Sequence, residues 1–177
     1  RATGWLNKAP TILRFGTLFG SSPRMRFDLV INRFVAQAIK EGKVTVFGGS
    51  QYRPFLHVSD ASDAIIFSLE KNLTGTYNVV SENLTIKQAA ERISKVTGCK
   101  INISDENEDN RNYKVSAEKL KQVGFEPSKT IEDAINEIKQ AIDDGQILNY
   151  DDAKYSNYKL LFGSKEMQEK VFIQGIQ

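Results

Sequence analysis

The stretch Arg53-Pro54-Phe55-Leu56-His57-Val58-Ser59-Asp60 decides how the rest of the chain is organised. Before it, Gly48-Gly49-Ser50 interrupts a strand-like run that ends at Phe47. After it, apolar residues change to helical spacing, and Ser59 or Asp60 is placed to cap the helix. The combination predicts an anion site, because a guanidinium can hold two phosphate oxygens and a helix amino terminus adds partial positive charge. The alternative is an ordinary loop-to-helix junction with a solvated arginine.

The composition is that of an ordinary globular chain, with 177 residues of which 40% are hydrophobic and 26% charged, and it indicates one domain of modest size. The formal net charge of +2 is too small for a nucleic-acid-binding surface. No apolar run reaches the roughly 20 residues that cross a bilayer. Cys99 is the single cysteine, which excludes an internal disulfide and fits a reducing compartment. We therefore expect a cytoplasmic protein without nucleic-acid or membrane partners.

Strand and helix patterns alternate along the chain and predict an α/β fold. The predicted strands cover residues 11–15, 44–47, 53–58, 75–80 and 100–104. The predicted helices begin at Phe27 and end at Gly42, run over 61–71, begin at Ile86 and end at Gly98, and then run over 117–123 and 131–143. Residues 105–111 form a polar, acidic loop. We expect a main unit over residues 1–148 and a polar, tyrosine-rich tail over 149–177.

Four stretches in the same order resemble the NAD-dependent nucleotide-sugar epimerase/dehydratase family, a branch of the extended short-chain dehydrogenases. They are Thr11–Gly20, Ser22–Asn32, the Arg53–Asp60 stretch with its alanine-rich helix, and Thr76–Val80 with Leu84–Lys87. The resemblance covers roughly residues 10 to 145. It implies the carboxyl-terminal part of a Rossmann-like enzyme, with a small mixed α/β substrate-binding domain that binds a nucleotide-diphosphate sugar.

Two motifs of that family have no counterpart in this sequence. The glycine-rich G-x-x-G-x-x-G turn, which seats the dinucleotide pyrophosphate, does not occur. The catalytic tyrosine and lysine should precede the Thr11 strand, and no tyrosine stands there. The chain thus resembles the substrate-binding half of such an enzyme. We expect it to need a missing amino-terminal Rossmann half for tight NAD binding and catalysis, with a homodimer formed through that half.

The reaction that the resemblance implies for the intact enzyme is a transient oxidation of the sugar and return of the hydride, which gives epimerisation or dehydration. The chain by itself should be inactive. The competing interpretation is a non-catalytic sugar-nucleotide-binding or regulatory protein that kept the pocket and lost the chemistry.

The resemblance assigns roles to individual residues. Phe15 and Gly16 end the strand where nicotinamide and sugar meet. Thr17 is assigned a substrate contact, because it stands where the family usually has an asparagine that hydrogen-bonds the diphosphate or the sugar. Substrate contacts are assigned to Arg26 and Asn32 at the diphosphate, to Thr45 and Phe47 at the base, and to Arg53 and Arg111 as a pair of arginines on the pyrophosphate. For Arg111, in Asp109-Asn-Arg-Asn-Tyr113, a surface arginine beside acids is an equal alternative.

Other residues that could serve as catalytic groups are expected to have structural roles instead. His57, the one histidine, is expected to make a buried hydrogen bond at the helix start, with a general base as the alternative. The spacings Tyr150/Lys154 and Tyr155/Lys159 copy the family's catalytic pair, but they fall after the last helix and are expected to pack or to be solvated. We expect no catalytic residue and no metal site in this chain.

Overall fold

A computed structural model of the chain describes residues 9–104 and 111–163. The predicted acidic loop, except Arg111, lies outside the described residues, as do residues 1–8 and 164–177. The strands are β1 (Thr11–Phe15), β2 (Thr17–Phe19), β3 (Lys43–Phe47), β4 (Tyr52–His57), β5 (Gly75–Val79), β6 (Glu82–Thr85) and β7 (Lys100–Ser104). The helices are α1 (Val30–Glu41), α2 (Val58–Glu70), α3 (Ile86–Thr97), α4 (Glu118–Gln122), α5 (Ile131–Asp143) and α6 (Asn157–Phe162). The predicted α/β class is confirmed.

The strands of the described residues pair mainly in parallel. β1 pairs with β5, and β3 pairs with β7, both parallel. β4 is the centre of a three-stranded sheet, parallel to β2 and antiparallel to β6. Parallel pairs are usually covered by helices on both faces, which fits the helical patterns between the strands.

The central strand β4 separates two apolar clusters. Every residue from Arg53 to His57 is buried, which accounts for the continuous apolar run in the sequence. Side chains alternate between the two faces of a strand. Accordingly, Phe55 packs in a cluster with α1, α3 and α5, whereas Leu56 packs in a second cluster with α2 and β5. β4 is therefore the element from which both halves of the fold are positioned.

The ends of several helices follow the predicted turn chemistry. Gly42 ends α1 with φ 65° and Gly98 ends α3 with φ 72°, in the left-handed region that glycine adopts at low cost. α1 begins at Val30 and not near Phe27, which precedes the helix as a buried residue. Thr85 and Gln88 form a capping box at the start of α3. The side-chain oxygen of each accepts from the backbone N–H of the other.

The predicted cap of α2 is wrong. The imidazole of His57 caps the helix, because its Nδ1 accepts from the backbone N–H of Ser59 at 3.2 Å. Asp60 is buried within the first turn, and its carboxylate accepts from the backbone N–H groups of Ser128 and Lys129 at 2.9 and 3.0 Å. Asp60 thus anchors the loop before α5 to the start of α2.

Among the described residues, no helix has the length and apolar character required to span a bilayer.

Candidate functional site

A cleft of about 370 Å³ lies between α1, β3 and β4 and is called the first cleft. Thr45, Phe47 and Arg53 line it. Three of the residues predicted to contact substrate therefore line one space. Leu29 and Phe34 add apolar wall. An arginine on a largely apolar cleft is an arrangement suited to a ligand with a flat ring and a negative charge.

Arg53 is held in place by backbone carbonyls. Its exposed fraction is 7%, and Nη1 donates to the carbonyl of Tyr52 at 2.8 Å and to that of Arg111. The ring of Tyr113 lies 5.5 Å from the guanidinium carbon. A guanidinium fixed in this way loses little conformational freedom when it binds an anion.

The segment that holds Arg53, residues 111–116, is called the strap here. The side chain of Asn112 accepts from the backbone N–H of Tyr52 at 3.0 Å, and the Lys114 ammonium lies 3.9 Å from the Tyr52 ring centre. Further along, Val115 and Asn83 exchange two hydrogen bonds of 2.8 and 3.0 Å. The strap is therefore bonded across the amino-terminal end of β4 and the adjoining β6.

Arg111 contacts Arg53 through its backbone. Its carbonyl supports Arg53, while its side chain is absent from the residues that line the first cleft. The two predicted arginines are thus connected by a hydrogen bond from the Arg53 guanidinium to the backbone carbonyl of Arg111.

The second cleft, of about 550 Å³, contains Phe15, Gly16 and Thr17. It lies where the parallel strands β1 and β5 end, and Pro54 forms part of its wall. A Cβ at Gly16 would stand 3.1 Å from the carbonyl oxygen of Pro54, so a side chain there would press against the backbone of β4. The carboxyl ends of parallel strands are the usual ligand position in α/β folds.

The parallel register relates Thr17 to Arg53. Thr17 pairs with Phe55, so its side chain points to the same face of the sheet as those of Phe55 and Arg53, two residues earlier on β4. Arg53 and Pro54 are consecutive and line different clefts. The two clefts therefore lie against neighbouring residues near the start of β4.

Arg26 and Asn32 lie apart from Arg53, in a third cleft of about 130 Å³. Arg26 forms a two-pronged ion pair with Asp28, at 2.8 and 3.0 Å. The Asn32 side chain is buried and accepts from the N–H of Gly20 at 2.9 Å, while it donates to the carbonyl of Arg26 at 3.3 Å. Both residues thus have intramolecular partners, and Asn32 ties the loop after β2 to α1.

His57 has the structural role that the sequence predicts. The side chain is fully buried, and the Nδ1 contact that caps α2 places the proton of a neutral imidazole on Nε2. Nε2 lies 3.2 Å from Oε2 of Glu137, poorly aligned for a hydrogen bond. The same carboxylate oxygen accepts from the N–H of Ser21 at 3.0 Å. The expected buried hydrogen bond at the helix start is confirmed.

The two tyrosines with catalytic-like spacing are packing residues. The rings of Tyr150 and Tyr155 are buried against Phe27, with centres at 6.1 and 5.1 Å. Burial, followed by the hydrogen bond to Glu41, raises the pKa of Tyr150 to about 12. Proton transfer near neutral pH requires a lowered tyrosine pKa, so Tyr150 is unsuited to that task.

Sequence reasoning missed part of the first cleft. Arg33 and Gln37 of α1 line it, and so does Gln51, whose amide bridges the carbonyl of Phe47 at 3.1 Å and the N–H of Gly49 at 2.7 Å. Arg33 and Gln37 are four residues apart, on one helix face with the apolar Val30 and Phe34. The sequence signal that could have indicated these cleft residues is the presence of two polar residues, Arg33 and Gln37, within the apolar stripe of α1.

No cluster of His, Cys, Asp and Glu within residues 9–104 and 111–163 has the geometry of a metal site.

Part of the chain is similar to known proteins of one family. Residues 7–80 match the model of the NAD dependent epimerase/dehydratase family. A UDP-glucuronic acid decarboxylase 3 from Arabidopsis thaliana is 33% identical over 124 residues, which cover 65% of this chain and 36% of that protein. The chain spans about a third of the length of the curated relatives that it matches.

Solved structures share the fold over most of the chain. A dTDP-glucose 4,6-dehydratase from Bacillus anthracis, in complex with NAD, is 26% identical with a TM-score of 0.63, over 77% of this chain and 45% of that one. A UDP-N-acetylglucosamine 4-epimerase from Methanobrevibacter ruminantium, in complex with UDP-N-acetylmuramic acid, is 26% identical with a TM-score of 0.63, over 76% and 46%.

Proposed function

We propose that the chain is a member of the NAD-dependent epimerase/dehydratase family, to which it is similar, and that it is the part of a sugar-nucleotide-modifying enzyme that binds the nucleotide-diphosphate sugar. The intact enzyme would epimerise or dehydrate the sugar with NAD as hydride carrier. The single cysteine, Cys99, is buried and suits a cytoplasmic location, which is part of the proposal.

The observation that carries the proposal is the position of Arg53. Arg53 and Arg33 are both cations on the wall of the first cleft, and Arg53 is held by the carbonyls of Tyr52 and Arg111. A nucleotide diphosphate combines a flat base with two phosphates, and arginine binds phosphate oxygens with a planar pair of donors. The base would lie in the first cleft against Phe47, with the diphosphate at Arg53.

The sugar would continue towards the second cleft. Thr17 faces the same side of the sheet as Arg53 through the β2–β4 register, so its hydroxyl is a candidate contact to the diphosphate or the sugar. Arg26 and Asn32 of the third cleft remain candidates at the edge of this path. Leu29 lines the first and the third cleft, so the two adjoin there.

The residues of this chain do not fit the whole NAD molecule. Phe15 and Gly16 would form a wall for the nicotinamide at the end of β1, but the sequence has no glycine-rich turn to receive the pyrophosphate. The proposal therefore assigns the cofactor phosphates to an amino-terminal Rossmann half.

The surface beside β1 is suited to that second half. Among the described residues β1 pairs with β5 alone, whereas parallel strands are usually covered on both faces and paired on both edges. Ile12 on β1 and Ile65, Ile66 and Leu69 on α2 are all exposed, and α2 packs against β1. We assign this surface to the amino-terminal half, through which a homodimer would also form.

Calorimetric titration of the chain with UDP and UDP-glucose tests the proposed function. We expect measurable binding of both, weaker binding of UMP because one phosphate is lost, and no tight binding of NAD. Equal affinity for UDP and UMP would contradict the diphosphate assignment. Absence of heat with any uridine nucleotide, in a chain shown to be folded by circular dichroism, would overturn the proposal.

A further inference from the structure

The loop between β2 and α1, residues 20–29, forms one wall of two clefts and is called the cleft loop here. Asp28 lines the first cleft, Arg24 and Arg26 line the third, and Leu29 lines both. The shape of the two clefts therefore depends on where this loop is held.

The start of the cleft loop is bonded to the body of the fold. The backbone N–H of Gly20 donates to the Asn32 side chain at 2.9 Å, and that of Ser21 donates to Glu137 of α5 at 3.0 Å. Asn32 also donates to the carbonyl of Arg26, at the longer distance of 3.3 Å. These contacts fix the start of the loop more closely than its middle.

The middle of the cleft loop is held by residues 150–157, a segment called the clamp here. The N–H of Phe27 donates to the carbonyl of Tyr155 at 3.1 Å, and the two buried rings meet edge to face with centres 5.1 Å apart. None of the described residues that line the first or the third cleft belongs to the clamp. The clamp therefore holds the loop from outside the two clefts.

The clamp also holds one arginine on the wall of each cleft. The Arg24 guanidinium donates to the carbonyl of Lys154 at 2.8 Å and to the side chain of Asn157 at 2.9 Å. Arg33, which lines the first cleft, donates to Asp151 at 3.2 Å. These polar contacts are exposed and stabilise little, so the buried ring of Tyr155 is the main attachment.

We infer that the clamp positions the cleft loop for nucleotide binding and that Tyr155 is its positioning residue. A loop that is already held in place loses little conformational freedom when a ligand binds, whereas a loose loop must be ordered at a cost in affinity. The inference rests on the proposed function, since the ligand is the same nucleotide. It gives a binding role to a segment that the sequence predicted as a packing or solvated tail.

Amide hydrogen exchange and calorimetric titration with UDP test this role in Tyr155→Leu. The substitution removes the ring and keeps the carbonyl that accepts from Phe27. We expect the Phe27 amide to exchange about two- to tenfold faster, the range of one edge-to-face ring contact, and UDP to bind more weakly by a similar factor. Tyr155→Phe, which keeps the ring, should match wild type in both measurements.

Phe125→Leu is the matched control for a general loss of stability. Phe125 also belongs to a ring pair, with Phe67 at 5.4 Å, and it packs against the second apolar cluster, outside the three clefts. This variant should be less stable in urea, yet its Phe27 exchange and its UDP affinity should be those of wild type. An equal loss of affinity in Phe125→Leu and Tyr155→Leu would trace the effect to stability and overturn the inference.

The affinity of Tyr155→Leu separates the remaining outcomes, in a chain shown to be folded by circular dichroism. Affinity equal to wild type, or higher, would overturn the positioning role and leave the proposed function intact. If Tyr155→Leu does not fold, Asn157→Ala decides instead, because it removes an Arg24 contact without a buried ring and should weaken UDP binding roughly two- to threefold. Absence of UDP binding by wild type would remove the proposed function, while the Phe27 exchange rates would still decide whether Tyr155 holds the loop.

Discussion

Arg53 donates a hydrogen bond from Nη1 to the backbone carbonyl of Arg111, a residue 58 positions later in the chain. The strap that contains Arg111 also places the Tyr113 ring over the guanidinium at 5.5 Å. The geometry of the proposed diphosphate ligand therefore depends on a distant segment, which crosses β4 and bonds to Tyr52 and Asn83.

Weakening the strap should lower nucleotide affinity without a change in charge. Tyr113→Ala removes a cation–π contact worth about 0.5–1 kcal/mol when exposed, so we expect roughly two- to fivefold weaker UDP binding by calorimetry. Tyr158→Ala, at an exposed ring on α6, is the control. Equal UDP affinity for wild type and Tyr113→Ala would show that Arg53 needs no support from the strap.

Loss of the His57 side chain should affect stability more than binding. His57→Ala removes the cap of α2 and leaves a cavity beside Phe19, whose ring centre lies 5.3 Å away. Cap loss and cavity formation together should cost about 2–4 kcal/mol, measured by urea unfolding. His57→Asn should regain part of this, because asparagine is a strong cap. A fully stable His57→Ala chain that no longer binds UDP would reverse the assigned role.

The sequence predicted β4 and the body of α2 well because a buried strand has a mostly apolar run and a helix has a clear period. β2 and β6 were missed for physical reasons. β2 has three residues between two glycines, and β6 is a half-buried polar edge strand, Glu82–Thr85. His57 was not predicted as the cap because the usual cap residues, Ser59 and Asp60, follow it.

The site was predictable where one short stretch supplies the residues. Thr45, Phe47 and Arg53 do share a cleft. The cleft residues of α1, Arg33 and Gln37, were missed because their spacing predicts a helix face that packs against the core. The separate position of Asn32 depends on its bonds to Gly20 and Arg26, which spacing alone does not reveal.

The Tyr150 hydroxyl should lose its proton only at strongly alkaline pH, and the stability that it contributes should be lost over the same range. Burial, followed by Glu41, raises its pKa to about 12 from 10.0. Because the folded pKa is the higher one, the stabilisation is complete below about pH 10 and is lost as pH rises towards 12. Tyr150→Phe should reduce the loss of stability over that range, measured by urea unfolding at pH 8 and above 10. An identical pH dependence in Tyr150→Phe and wild type would contradict this.

Glu132 should stabilise the fold at neutral pH and lose this effect in acid. Its hydrogen bond to Arg92 lowers the pKa of the carboxyl group below 4.5. Stability is therefore present above the unfolded pKa and is lost as pH falls through the folded one. The pair is partly exposed, so we expect at most about 1 kcal/mol from it.

Urea unfolding of Glu132→Gln at pH 7 and near pH 3 measures this effect. The variant should be less stable than wild type at pH 7, and the difference should shrink in acid. Glu70→Gln, at an exposed glutamate, is the control. A difference between Glu132→Gln and wild type that stays constant with pH would contradict the ion-pair explanation.

The affinity of Arg53 variants for UDP tests the central claim most directly. Loss of a charge-assisted contact costs on the order of 2–3 kcal/mol, so Arg53→Ala should bind UDP roughly 30- to 150-fold more weakly in calorimetric titration. Arg53→Lys should recover part of the loss, since an ammonium cannot reproduce the planar fork. Lys95→Ala, at an exposed lysine near the end of α3, controls for net charge and should bind as wild type. If folded Arg53→Ala binds UDP and UDP-glucose as tightly as wild type, Arg53 does not hold the diphosphate and the account is wrong.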